Sequence, residues 1–328
     1  MEYTWNRAFA DGRDVLLMGG NAEKLLDASR RLSLEGNPSV SCFVEAPLLG
    51  EPDYDSLVIH NPRFSFPGCR ISDLSLLQAQ AAVDWAAGLG RAKPYLHFEL
   101  DSSGCGSLSG IHCRMEGCLE WAEGFFRAVG QPERTAAFVR KVQNLPEGWF
   151  CRYTGVFPGR KTNNTRMEVK MLDQGTRRAL CDPKYLRQCF DQIGFTAFND
   201  RMLLDIARLA EVEASISIQF DMLPDGSFLP VLSFLSLYEK IRPDCSPLFA
   251  PDGWLKRTCG IYEDMGISDD RWQVLEKCFF TERKTYLTRE GLEGRAYHCF
   301  PCCTKAKWIG GERTPAKFYL LLESRRIF

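Results

Sequence analysis

The sequence lacks a long apolar run: no stretch approaches 18 apolar residues, so no membrane-spanning helix is expected. Its first twenty residues place Asp11, Arg13 and Asp14 before the short Val15–Met18 run. That is neither the basic start nor the long apolar core of a secretion signal. A charge excess is missing too. The net charge of −1 over 328 residues sets up no basic field for nucleic acid or an acidic membrane, so any polyanion site must be a local group of cations. No Gly-x-Ser-x-Gly elbow and no Gly-x-x-x-x-Gly-Lys loop occurs, which removes the commonest hydrolase and nucleotide-binding signatures.

Cysteine, by contrast, is plentiful. The 14 cysteines show no even disulfide-framework spacing, and a chain this long needs no staples, so they read as reduced thiols of a cytoplasmic protein. Cys299, Cys302 and Cys303, with His298 beside them, could offer zinc ligands. No second Cys/His pair stands at finger-like spacing, and neighbouring strand residues point opposite ways, so packing is the reading adopted. The Asn163-Asn164-Thr165 sequon means nothing without secretion.

With 45% hydrophobic residues the chain can bury a large core. Extended hairpins recur five times along it. They are Val40–Glu45 with Asp55–His60, Tyr95–Asp101 with Ile111–Met115, and the Phe150–Met171 stretch turning through Pro158-Gly159 to Asn163-Asn164. Ser215–Met222 with Phe228–Ser236, and Tyr297–Lys307 with Lys317–Leu322, complete the set. Helical stretches lie between them: Asn21–Leu34, Ser72–Leu89 capped at Ser72, and three pairs. Those pairs break at Gly130, Gly194 and Gly266, where a helix end favours a left-handed glycine, and restart at Pro132, Asn199 and Ser268-Asp269.

The pattern predicts an α+β fold: about five ααββ repeats, at roughly 55 to 80 residues each, closing ten antiparallel strands into one β-barrel with helices outside. Single hairpins would be marginal as separate domains, whereas closure leaves no sheet edge. The alternation of each strand then sorts residues by face. Leu96, Phe98 and Leu100 face the helices, as do Ile111, Cys113 and Met115, Ile216 to Met222, and Phe318 to Leu322 in alternate positions. Arg114, Arg166, Lys170, Lys317 and Lys305 or Lys307 face inward. Such a gathering of cations at low dielectric calls for an anion, and a diphosphate is the natural guest.

The early-strand Val44-Glu45-Ala46, Arg166-x-Glu168-x-Lys170, Lys317-x-Tyr319 and the five repeats together resemble the ABBA, or PT-barrel, prenyltransferases. The acid-bearing first strand is most similar to the bacterial cyanobactin-type peptide branch. The resemblance implies a single PT-barrel domain over residues 1–328. It implies transfer of a prenyl group from an isoprenoid diphosphate to an electron-rich aromatic or peptide side chain. Glu45 would be the general base, and Arg114, Arg166, Lys170, Lys305, Lys317 and Tyr319 would hold the diphosphate. Phe43, Tyr95, His97, Tyr153 and Gln219 would line the acceptor and prenyl pocket, with ring faces steadying an allylic cation. Asp269-Asp270 runs into Arg271-Trp272-Gln273, not Asp-Asp-x-x-Asp, so no cofactor is required, although magnesium can assist. Expected partners are a prenyl diphosphate donor and a peptide, indole or phenol acceptor, with no nucleic acid and no membrane. Two alternatives stand beside this: a PT-barrel enzyme that modifies a peptide without prenylating it, and a non-catalytic anion- or peptide-binding barrel in which Glu45 is tied up in a salt bridge.

Overall fold

The computed structural model describes residues 2–20, 22–31, 40–51, 56–60, 70–71, 76–90, 94–101, 108–212, 215–237, 253–289 and 291–327. The expected cap at Ser72 lies outside them. Three helices open the chain: α1 (Glu2–Ala8), α2 (Arg13–Met18) and α3 (Ala22–Arg31). Then come β1 (Val40–Pro47), β2 (Ser56–His60), α4 (Leu77–Gly88), β3 (Leu96–Asp101) and β4 (Leu108–Arg114). The next repeat holds α5 (Glu120–Ala128), α6 (Thr135–Gln143), β5 (Trp149–Val156) and β6 (Thr165–Met171). It is followed by α7 (Gln174–Ala179), α8 (Pro183–Ile193), α9 (Asp200–Ala210), β7 (Ser215–Met222) and β8 (Phe228–Leu237). The last part holds α10 (Trp254–Asp264), α11 (Leu275–Cys278), β9 (Phe280–Thr288), β10 (Gly291–Ile309), β11 (Glu312–Arg313) and β12 (Lys317–Arg326).

The repeat is real. Gly130, Gly194 and Gly266 each take positive φ, at 75°, 77° and 71°, where the three helix pairs break. Asn199 and Asp269 then accept hydrogen bonds from the Met202 and Arg271 amides, capping the restarted helices.

All the strands belong to one curled antiparallel sheet. Its pairings run β10–β12–β1–β2–β3–β4–β5–β6–β7–β8, and β8 pairs again with the last part of β10, from Leu237↔Cys303 to Val231↔Ile309. The 19 residues of β10 make this possible, since its first half carries β9 and its second half carries β8. The hairpin of β9 with β10 extends the sheet beyond the expected ten strands, and β11 is a two-residue addition. β9 escaped the sequence reading because its residues, Phe280 to Thr288, are half-buried or exposed and present no apolar stripe.

The outer face carries the core. Leu96, Phe98, Ile111, Cys113, Ile218, Phe220, Phe318 and Leu322 pack beneath the helices against Phe125, Phe126, Phe190 and Tyr262. The face assignment made from alternation therefore holds strand after strand. It fails at two β-bulges, between Cys151 and Tyr153 on β5 and between Pro301 and Cys303 on β10. A bulge inserts one residue and turns two neighbours toward the same side. No helix among the described residues is long and apolar enough to cross a membrane.

Candidate active site

The inner face lines a cavity of about 170 Å³ that opens to solvent. Glu45, Arg166, Tyr319, Phe43, His97, Tyr153 and Gln219 line it. Lys305 and Lys317 reach it through Glu45: the Lys305 Nζ donates to Glu45 Oε2 at 2.9 Å and the Lys317 Nζ to Oε1 at 2.6 Å. Tyr319 donates its hydroxyl to Glu45 and accepts from Lys305 at 2.6 Å. Register explains the cluster, because Glu45 stands opposite Tyr319, and Lys305 opposite Lys317.

Glu45 is only 5% exposed. Burial pushes its carboxyl up, but Lys305 and Lys317 outweigh burial and hold it at about 2. Burial brings the Lys305 ammonium down to about 8, against the opposing pull of Glu45 and with Lys317 adding to the fall.

Two more ion pairs and a histidine contact complete this end of the cavity. Arg166 grips Asp221 with two hydrogen bonds, at 2.9 and 3.2 Å, and these offset what burial takes from its guanidinium. Glu99, 5% exposed, receives Arg160 at 2.7 Å and bonds His112 Nε2 at 2.9 Å. Against burial, Arg160 and His112 hold its carboxyl well below the usual range. Arg160 and Arg166 both lie over the Phe157 ring, at 4.0 and 4.5 Å. Gly155 leaves room for the His112 ring, since a Cβ there would stand 2.4 Å from Nδ1.

Arg114, Lys170 and Tyr95 are not in this group. At about 3.3 Å per residue, Lys170 stands about 13 Å from Arg166 along β6. Arg114 ends β4, pairs with Glu116, and lies over the rings of Tyr95 at 5.5 Å and Tyr153 at 6.0 Å. Tyr95 is 42% exposed and stands at the rim, outside the cavity lining. The inner-face cations therefore form two belts. The lower belt sits where β6 and β12 begin and holds Arg160, Arg166, Lys305, Lys307 and Lys317. The upper belt sits where β4 and β6 end and holds Arg114, Lys170 and Arg152. Alternation placed these residues on the correct face, but it carries no information on height along the strand.

No family model and no curated protein matches the sequence. A solved structure does: 5-dimethylallyltryptophan synthase from Streptomyces coelicolor matches with a TM-score of 0.53 and 10% identity, over 97% of this chain and 95% of that one. The fold is shared. AnaPT from Neosartorya fischeri matches at TM-score 0.47 and 8% identity, over 90% of this chain and 79% of that one, which carries no further weight. At such identities the likeness establishes the ABBA-type fold and no residue correspondence.

Two bulges and a turn place several residues of the site where strand alternation does not. Arg152 and Tyr153 are adjacent, yet both line the cavity, because the β5 bulge turns them the same way. Cys302 and Cys303 do likewise at the β10 bulge, while Cys299 is buried in the outer core, so the cysteine triplet is divided between the two faces. Arg160 belongs to a turn, where period two says nothing. Asp221 was legible as an inward residue, and its pairing with Arg166 follows from their register.

Proposed function

We propose that the protein is a prenyltransferase that moves a prenyl group from an isoprenoid diphosphate to an electron-rich indole, phenol or peptide side chain. One observation carries this reading: the cavity places an acid, a tyrosine and a belt of buried cations at one end, and aromatic walls above them. In this proposal the ten strands of the pairing circuit act as a closed barrel and the cavity is its reaction chamber.

The diphosphate accepts charge-assisted hydrogen bonds from Arg166, Lys305 and Lys317. The bond between the prenyl carbon and the bridging oxygen breaks, and its electron pair leaves with the diphosphate, whose growing charge the fixed cations stabilise. The rings of Phe43, Tyr153 and Tyr319 shield the allylic cation from water. The acceptor ring attacks it, and the proton released passes to Glu45. With both lysines on it Glu45 is a weak base. A diphosphate that draws Lys305 and Lys317 away restores its basicity. Asp221 and Glu99 are each engaged by an arginine.

Incubation with dimethylallyl or geranyl diphosphate and a panel of indoles, phenols and peptides is expected to give a prenyl mass increment, and Lys317→Ala to lower the rate at least about a hundredfold. Absence of diphosphate binding in calorimetry would sink the proposal. The existing pairing of Glu45, Asp221 and Glu99 with cations favours one second reading, a barrel that binds an anion or peptide without chemistry. Tight binding with no mass increment in any reaction would point to that reading.

A further inference from the structure

Cys302 and Cys303 have no part in the proposed transfer, yet both line the cavity, and among the described cysteines no others do. Neighbours in a regular strand point to opposite faces. The β10 bulge breaks that rule. Pro301 stands opposite Leu320 and Cys303 opposite Tyr319, so Cys302 is the inserted residue and shares the side of Cys303.

We infer that Cys302 and Cys303 form a dithiol modification site on the cavity wall, which a hydroperoxide closes into a disulfide between the two neighbours.

Three features of the fold favour that bridge. The thiols are already hydrogen-bonded to each other. A disulfide needs its two Cβ atoms within about 4.5 Å, which side chains on one side of the strand can meet and side chains on opposite faces cannot. The backbone is also unencumbered here. Cys302 pairs with no described residue of β12. Along the other edge of β10 the ladder to β9 runs up to Cys299, and the ladder to β8 begins at Cys303. Residues 300–302 are thus the seam at which the pairing circuit closes, and tightening the bulge there breaks no ladder pair of Cys302.

The two thiols have different roles. Cys303 is 4% exposed, and burial holds its thiol well above the usual range, with the contact to Cys302 adding to the rise and Lys305 opposing it. Cys302 is half-buried and meets whatever enters the open cavity. Its sulfur attacks the peroxide and the O–O bond breaks. The thiol proton leaves with the departing hydroxide as water, and Cys302 becomes a sulfenic acid. The Cys303 sulfur then attacks the sulfenic sulfur: the S–S bond forms, the S–O bond breaks, and the Cys303 proton leaves with the hydroxide as a second water. Two thiols are oxidised and one hydrogen peroxide is reduced to two waters. Cys113 and its neighbour Cys151, at 0% and 1% exposure in the outer core, are sealed from the same reagent.

The site stands whatever reaction the cavity hosts, and its test needs no substrate. The reduced whole chain is treated with hydrogen peroxide, blocked with N-ethylmaleimide in urea, digested with trypsin and sequenced by mass spectrometry. The expected result is the loss of two alkylatable thiols, both in the peptide from Ala296 to Lys305, with Cys299 still alkylated and the pair restored by dithiothreitol. Cys302→Ser should abolish that loss, and Cys299→Ala should leave it. Phenylarsine oxide gives a second reading, since its arsenic bonds two thiols with release of one water. One arsenical is expected on the same peptide, and none in Cys302→Ser. A bridge that involves Cys299, or oxidation of Cys302 beyond the sulfenic level while Cys303 stays free, overturns the inference. So do both thiols left unchanged at a peroxide dose that oxidises the half-buried Cys118 and Cys181, and arsenical capture that survives Cys302→Ser.

Discussion

The lower and upper belts carry cations on the inner face of the same sheet and share strand β6, yet they differ in how that charge is neutralised. Below, Lys305 and Lys317 share the buried Glu45, Arg166 holds Asp221 in a two-bond grip, and Arg160 holds Glu99. Above, Arg114 and Glu116 are 34% and 42% exposed, and Arg152 makes only a long contact with Glu168. The lower belt is a finished ion network that a substrate must compete with. An internal carboxylate that occupies a cation site also keeps that site shaped before substrate arrives, because partners fix the positions of long flexible lysines.

The largest expected effect lies below. Lys305→Met leaves Glu45 buried beside one lysine and is expected to cost about 3–5 kcal/mol in urea unfolding, as breaking a buried pair does. Arg114→Met, at an exposed pair, should cost less than about 1 kcal/mol. Equal losses would erase the distinction between the belts.

Acid separates them next. The folded pKa of Glu45 lies below its ordinary 4.5, so its stabilisation is fully present above about pH 4.5 and drains away as pH falls toward 2. The loss due to this group is about 3 kcal/mol, and Glu45→Gln should flatten that part of a stability–pH curve measured by urea midpoints. An unchanged slope in the variant would mean that other carboxylates carry the acid response.

Gly155→Ala tests the wall between the belts. Its Cβ would push the His112 ring off Glu99, which overpacking arguments put at about 1–3 kcal/mol. A thermal melt showing no loss would place the ring elsewhere. The smallest effect is ionic. Raising salt from about 0.05 to 0.5 M should screen the exposed Arg114–Glu116 pair more than the buried lower pairs. Urea midpoints of Arg114→Met and of the unaltered chain at the two salt concentrations measure it.

Much of this was legible in advance. Gly130, Gly194 and Gly266 marked the helix breaks, since only glycine accepts the left-handed conformation at no steric cost. Alternation sorted Phe98 from Glu99 and Met167 from Arg166, because a strand's side chains alternate regardless of context. The presence of Glu45, Arg166, Tyr319, Phe43, His97 and Gln219 on the cavity wall follows from that sorting. Arg152, Cys302 and Arg160 did not follow, because a bulge or a turn breaks the period that the sorting depends on.

What the sequence by itself determined was the side of the sheet: repeat, turn and alternation are local, and each is written within a few neighbouring residues. The tertiary structure decided the height and the partner. Lys305 meets Glu45 across 260 residues of chain, and Arg166 parts from Lys170 though only four residues separate them. Which residues stand level depends on how ten strands are staggered against one another, and that register is settled by the packing of the whole sheet under its helices.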